Sequence, residues 1–172
     1  MTVVVLSDKV HEIDSIGNKE DKVKISTRGR YGTRALVELA LNHKEGLTLL
    51  KDIARKQQIS QRYLEHVIRP LVAGGILRST RGAGGGITLA RPPEEIKMSE
   101  VIRLLEGSIA PVDCVNNKAI CERSDTCAAR DIWCDLQNAI SGVLESTTLQ
   151  DMVDRQKSKG PASTDIDENS RY

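Results

Sequence analysis

Tyr31, Ala35, Leu36, Leu39 and Ala40 recur at three- and four-residue steps, the period of a helix with one buried face. Ser26 or Thr27 is placed to cap it, and the pattern ends near Asn42. A second helix should begin under a Thr48 cap, with Leu49, Ile53 and Ala54 inward and Lys51, Arg55 and Lys56 outward. Gln57-Gln58-Ile59 makes a short turn, and Ser60 caps a third helix over Gln61 to Ala73. That helix sets Tyr63, Leu64, Val67, Ile68 and Leu71 on one face and leaves Gln61, Arg62, Glu65 and His66 on the other. Pro70 removes the backbone bond to the His66 carbonyl and should tighten the last turn, sparing the exposed first half. After Gly74-Gly75 the period changes to two short β-compatible runs, Ile76 to Thr80 and Ile87 to Ala90, joined by a glycine-rich loop that begins at Arg81. Two helices joined by a tight turn, then a hairpin, is the order of a winged helix-turn-helix.

Beyond Pro92-Pro93, Ser99 should cap a short helix carrying Val101, Ile102, Leu104 and Leu105 and ending at Gly107. From about Ala128 a near seven-residue seam of Ile132 or Trp133, Leu136, Ile140, Val143 or Leu144 and Thr147 predicts one long amphipathic helix. Such a helix either pairs with its copy in a homodimer or folds back on its own winged helix. The organisation expected is therefore a flexible leader over 1–22, a DNA-binding winged helix over 23–93 and a linker helix with a cysteine-bearing loop over 94–127. A dimerisation helix over 128–155 and a disordered tail over 156–172 complete it. Val23 is also a candidate start, since a valine codon can initiate, which would make the leader a start-site artefact. The fold class is mainly α, with a two-stranded wing.

Composition narrows the chemistry. Phe is absent and aromatics make up 2% of 172 residues, so the core must be aliphatic and no aromatic platform for single strands can be built. The longest apolar run near the N-terminus, Val3 to Leu6, is far too short for a signal-peptide core or a membrane span. A cytoplasmic protein without a membrane partner is expected. The net charge of +1 conceals an asymmetry: −2 over residues 1–23, +9 over 24–91 and −6 over 92–172. The basic block coincides with the winged helix, as binding to a polyanion requires. A nucleotide cradle is not supported by the glycines, because no Gly-Lys-Ser/Thr closes a P-loop and Ile87 stands where a dinucleotide fingerprint needs a small residue. No nucleophile–base pair or paired acid motif points to an enzyme or to a small-molecule substrate.

All four cysteines, Cys114, Cys121, Cys127 and Cys134, fall within 21 residues, with gaps of six, five and six. In a cytoplasmic protein such clustering argues for metal or redox work rather than structural disulfides. The gaps are wider than the pairs of structural zinc sites and would let the chain encircle an inorganic cluster on thiolates. Spacing alone leaves an iron–sulfur cluster, redox thiols, zinc and unliganded cysteines open.

The runs VKISTRGRYGTRALVELALN and LKDIARKQQISQRYLEHVIRPLVAGGILRSTRGAGGGITLA, with three cysteines ahead of a tryptophan-containing helix, resemble the winged-helix regulator family of IscR, NsrR, RirA and CymR. Within it, the iron–sulfur cluster regulators of the IscR type are the nearest match. The likeness covers residues 23 to 153, and STRGAGGGITLA is its most specific element. It implies a homodimeric transcription regulator on double-stranded operator DNA, many members of which hold a cluster on cysteines matching Cys114, Cys121 and Cys127. A two-iron, two-sulfur cluster is the favoured form, with a four-iron cluster or none as alternatives. Two positions depart from the pattern. Arg130 stands where IscR has a ligating histidine, and Arg30 where NsrR-like members have an aspartate; neither can ligate. Cys134 is the substitute fourth ligand by chemistry, although seven helical residues, about 10.5 Å, separate it from Cys127 unless the latter precedes the helix. A free thiol is the other reading of Cys134. A cluster-free regulator responding to a small molecule, thiol oxidation or a partner enzyme is the alternative function.

For DNA, Ser60, Gln61, Arg62, Tyr63, Glu65 and His66 occupy the half of the recognition helix that reaches the major groove. Arg62 suits guanine or phosphate, Glu65 can accept from cytosine, and Ser60 or Tyr63 grips phosphate. Tyr63 equally suits core packing. Arg81 at the wing tip resembles the family arginine that enters a narrow minor groove, and Arg28 and Arg30 are expected backbone contacts.

Overall fold

The computed structural model describes residues 25–43, 46–82 and 85–160. Most of the expected leader and tail, and Val23, lie outside them.

Helix α1, Thr27–Leu41, starts at Ser26, whose side chain accepts the Gly29 N–H, and buries Ala35, Leu36, Val37, Leu39 and Ala40. Helix α2 (Leu50–Gln57) and helix α3 (Gln61–Ala73) pack against it. The turn between them is made by Gln58 at φ 54° and pinned by buried Ile59. Ser60 caps α3 as expected, and α3 continues through Pro70 to Ala73. Strands β1 (Leu77–Thr80) and β2 (Gly86–Leu89) pair antiparallel, Leu77 against Leu89 and Thr80 against Gly86. This is the winged helix-turn-helix that the sequence predicts, mainly α with a two-stranded wing.

The expected Thr48 cap is corrected. Leu49 is the cap residue without a side-chain bond, and it is 41% exposed rather than inward. Thr48 instead exchanges both backbone bonds with Ile87, at 2.9 Å each, so the segment before α2 is stapled to the wing. Gly86 permits this approach, since a Cβ there would lie 2.7 Å from the Thr48 carbonyl oxygen.

A 3-10 turn at Pro93–Glu95 leads to helix α4, Met98–Glu106. The cap is Lys97 rather than Ser99, because residues 96–98 pair with 147–149: Met98 N–H donates to Thr147, and Leu149 N–H to Ile96. Ser99 Oγ donates to Glu145 instead, at 2.5 Å. The cysteine segment holds short helix α5 (Asp113–Asn116) and a 3-10 turn at Lys118–Ile120, where the sequence suggested only turns.

The continuous helix expected over 128–155 is divided. Helix α6 runs Ala128–Ser146, and helix α7 runs Leu149–Ser158 from a Thr148–Asp151 capping box. The same capping box satisfies the backbone at the break, while Thr147 Oγ bonds back to the Val143 carbonyl at 2.7 Å. Helix α7 packs on α1 and buries Leu149 and Val153, so residues 149–158 belong to the DNA-binding core. Residues 156–158, read as tail, are helical.

Candidate nucleic-acid interface and cysteine loop

The first half of α3 is presented outward. Gln61, Arg62, Glu65 and His66 are exposed, and Arg62, Glu65 and His66 border one shallow groove with Ser60, Tyr63 and Arg69. Gln61 Nε2 donates to Glu65 Oε1 at 3.0 Å, one turn along the exposed face. Ser60 Oγ accepts the Tyr63 N–H at 3.2 Å as the cap of α3, which engages its oxygen as an acceptor and not its O–H donor. Tyr63 is half-buried, its ring edge-on to Tyr31 at 6.0 Å and 85°, and the Arg34 guanidinium lies 5.7 Å over Tyr31. The core reading of Tyr63 thus describes its ring. Arg69 was not among the sequence candidates, although its place seven residues after Arg62, two turns along the same face, was readable.

Arg81 is exposed at the end of β1, followed by Gly82 at φ 111°. Arg30 is exposed on α1, with Nη2 3.4 Å from Thr27 Oγ1. Arg28 differs: it is half-buried and its Nε donates to the Leu105 carbonyl at the end of α4. Beside it, Ser26 donates through its N–H (3.1 Å) and Oγ (2.7 Å) to Glu106 Oε1. The start of α1 and the end of α4 are therefore interlocked, and Gly32 allows it, since a Cβ there would come within 2.5 Å of Leu105.

Gly107, at φ 81°, turns the chain from α4 into the cysteine segment. Cys114 lies on α5, Cys121 follows the 3-10 turn, Cys127 is the cap residue ahead of α6, and Cys134 is within α6. All four are half-buried free thiols. Cys127 meets the condition set above, since its extended backbone precedes the helix. The segment closes on itself through polar bonds: Ser124 Oγ to the Lys118 carbonyl at 2.8 Å, and Arg130 Nε to the Cys114 carbonyl at 2.9 Å. Arg130 thereby ties the first turn of α6 to α5, a role spacing alone could not reveal.

As a donor set, these thiols have the chemistry a cluster uses. Among the described residues no three His, Cys, Asp or Glu side chains come together at one position that would hold a metal ion.

Among the described residues, no helix is long and apolar enough to cross a membrane. The family described as Rrf2, an iron-dependent transcriptional regulator, matches residues 25–155. The HTH-type transcriptional regulator CymR of Bacillus subtilis is 42% identical over 131 residues, 76% of this chain and 90% of the relative. The rrf2 protein of Nitratidesulfovibrio vulgaris is 40% identical over 76% of this chain and 87% of its own. Among solved structures, IscR of T. potens superposes with a TM-score of 0.67 at 37% identity, over 81% of this chain and 92% of that one. These relatives are transcription regulators, not enzymes, and the winged-helix fold, the family match and the relatives agree: the chain belongs to the Rrf2 family of transcriptional regulators.

Proposed function

We propose that this protein is a homodimeric cytoplasmic repressor or activator that reads a two-fold operator with α3 and the wing, and that the cysteine loop is its sensor. The observation that carries the reading is the outward half of α3, where Gln61, Arg62, Glu65 and His66 stand exposed beside a wing ending in Arg81. In this reading Arg62 and Glu65 contact bases, Arg30 and the α3 N-terminus hold phosphates, and Arg81 enters the minor groove. Arg28 contributes through its bond to α4 as well as by charge.

The path from sensor to DNA runs through α4. The cysteine segment leaves α4 at Gly107, and the last turn of α4 receives the Ser26 and Arg28 bonds from α1, which packs on α3. A change in the loop that shifts the end of α4 would tilt the two recognition helices, whose half-sites must lie about 34 to 36 Å apart.

The iron-dependent description of the family and the thiols of Cys114, Cys121, Cys127 and Cys134 support a two-iron, two-sulfur cluster as the loop's ligand. The Arg130–Cys114 bond and the unconverged thiols support the second reading, a cluster-free regulator whose cysteines act as thiols. CymR of B. subtilis is a global cysteine regulator, which supports the cluster-free reading in its small-molecule form. Anaerobic purification followed by an absorption spectrum with iron and sulfide counts separates the two. A brown protein with near-equal iron and sulfide, bleached by Cys121→Ala, supports the cluster; a protein colourless even after reconstitution leaves the thiol reading.

A further inference from the structure

Along α1, Arg34, Glu38 and Asn42 recur at four-residue steps and form one polar ridge. This ridge meets the last turn of α2. Arg34 Nε donates to Gln57 Oε1 at 3.0 Å, and its Nη2 donates to the Gln57 carbonyl at 3.1 Å. That carbonyl is one of those a helix end leaves without an intrahelical partner, and a cation is favoured beside it. Glu38 takes the other end of the same amide. Gln57 Nε2 donates to Glu38 Oε2 at 3.4 Å, while Lys56 Nζ and Asn42 Nδ2 donate to Oε1 at 2.7 and 3.0 Å. The Glu38 side chain is only 13% exposed, and these donors replace the water it has lost. Gln57 is thus gripped at its carbonyl and at both ends of its amide.

The grip falls where the recognition helix is aimed. Gln57 is the last residue of α2, and Gln58, at φ 54°, turns the chain toward the Ser60 cap of α3. A residue with a side chain holds that left-handed conformation when its surroundings fix it. The same Arg34 guanidinium lies over the Tyr31 ring, which meets the ring of Tyr63 edge-on, and Tyr63 stands in the first turn of α3. Arg34 therefore touches the end of α2 directly and the start of α3 through one intervening ring. Its planar fork lets it make both Gln57 bonds at once.

We propose that Arg34 is a positioning residue for base readout: it sets the angle between α2 and α3, and so the reach of Arg62 and Glu65 into the groove, without itself touching DNA. Glu38 holds the Gln57 amide in the orientation that Arg34 meets. The inference rests on the reading of α3 as the recognition helix and adds what aims it. Base contacts depend on that angle because their hydrogen bonds are directional, whereas the charge that draws the protein to any duplex does not.

The test compares a duplex enriched from a random pool by the full-length wild-type protein with a scrambled duplex of the same composition. Affinity for both is measured by fluorescence anisotropy over a range of salt. Arg34→Met should weaken binding to the enriched duplex about tenfold and to the scrambled one less than about twofold, with an unchanged salt slope. Arg34→Lys keeps the charge and loses the fork, so it should lose nearly as much. Gln57→Ala, which removes the amide and leaves the carbonyl, should lose about threefold, and the double variant less than the product of the two single losses. Thermal unfolding shows which variants are folded, and Arg34→Lys and Gln57→Ala decide the matter if Arg34→Met is not. Equal loss on both duplexes, with a slope lowered by about one and restored in Arg34→Lys, overturns the proposal and makes Arg34 a phosphate contact. Equal loss on both at an unchanged slope overturns it too, since Arg34 would then support the fold without aiming the helix. Unchanged affinity of the folded variants for the enriched duplex also overturns it. A wild-type protein that enriches no duplex overturns the reading of α3 itself, and this inference with it.

Discussion

Arg81 and Arg62 are both exposed arginines, and the proposed reading assigns them to different grooves. Arg81 stands at the wing tip, where a cation reads groove width and phosphate charge, so Arg81→Ala should weaken operator binding roughly tenfold and lower the salt slope by about one. Fluorescence anisotropy at several salt concentrations measures both, and an unchanged slope would remove the wing from the interface. Arg130 acts within the protein. Its Nε bond to the Cys114 carbonyl closes the cysteine segment, so Arg130→Ala should speed alkylation of the thiols by iodoacetamide several-fold, whereas unchanged rates would mean that the bond does not hold the segment. At this scale the sequence revealed residue types better than partners. The exposed face of α3 followed from a 3.6-residue period, but the commitment of Arg28 to Leu105 and of Ser99 to Glu145 depends on elements about fifty to eighty residues away in the chain. No local period encodes such a meeting.

Among elements, the break between α6 and α7 shows how a readable signal was overridden. Thr148 and Asp151 form an N-terminal capping box, but Thr147 also extends the seven-residue seam, and the seam predicted continuity. The cap prevailed because α7 gains burial of Leu149 and Val153 against α1. Hydrogen bonds from the Thr148 N–H and Oγ hold the Asp151 carboxyl below the usual carboxylate range, so its contribution to stability is complete above that range and is lost as pH falls through its lowered value. Asp151→Ala should therefore destabilise the fold at neutral pH and progressively less as pH falls through that lowered range, as chemical denaturation of both proteins at a neutral and an acid pH would show. An equal difference at both pH values would mean that the cap acts by packing alone. Glu145, held low by its bonds to Lys97 and Ser99, should loosen the α4–α6 tie over the same acid range. The hairpin and the helix-turn-helix were legible because their signals are local: glycines, caps and aliphatic periods. The Thr48–Ile87 staple was not, because it pairs backbone groups that carry no sequence mark.

For the whole molecule, the charge asymmetry of the sequence has a structural counterpart. The basic block of residues 24–91 forms the winged helix, and the acidic remainder supplies α4, the cysteine segment and α6. Function was legible to the level of a DNA-binding regulator because both recognition helix and wing are local motifs. The sensing chemistry was less so, since four cysteines at these spacings suit several ligands and the fold leaves them unconverged. The central claim is that two copies of the chain read a two-fold DNA sequence. It is tested most directly by selecting random duplexes with the full-length protein at near-physiological salt and sequencing the bound pool. The account predicts an enriched palindrome with half-site centres about one helical turn apart, whose base preference relaxes with Glu65→Ala. A bound pool without a motif, or a single half-site without two-fold symmetry, would contradict it.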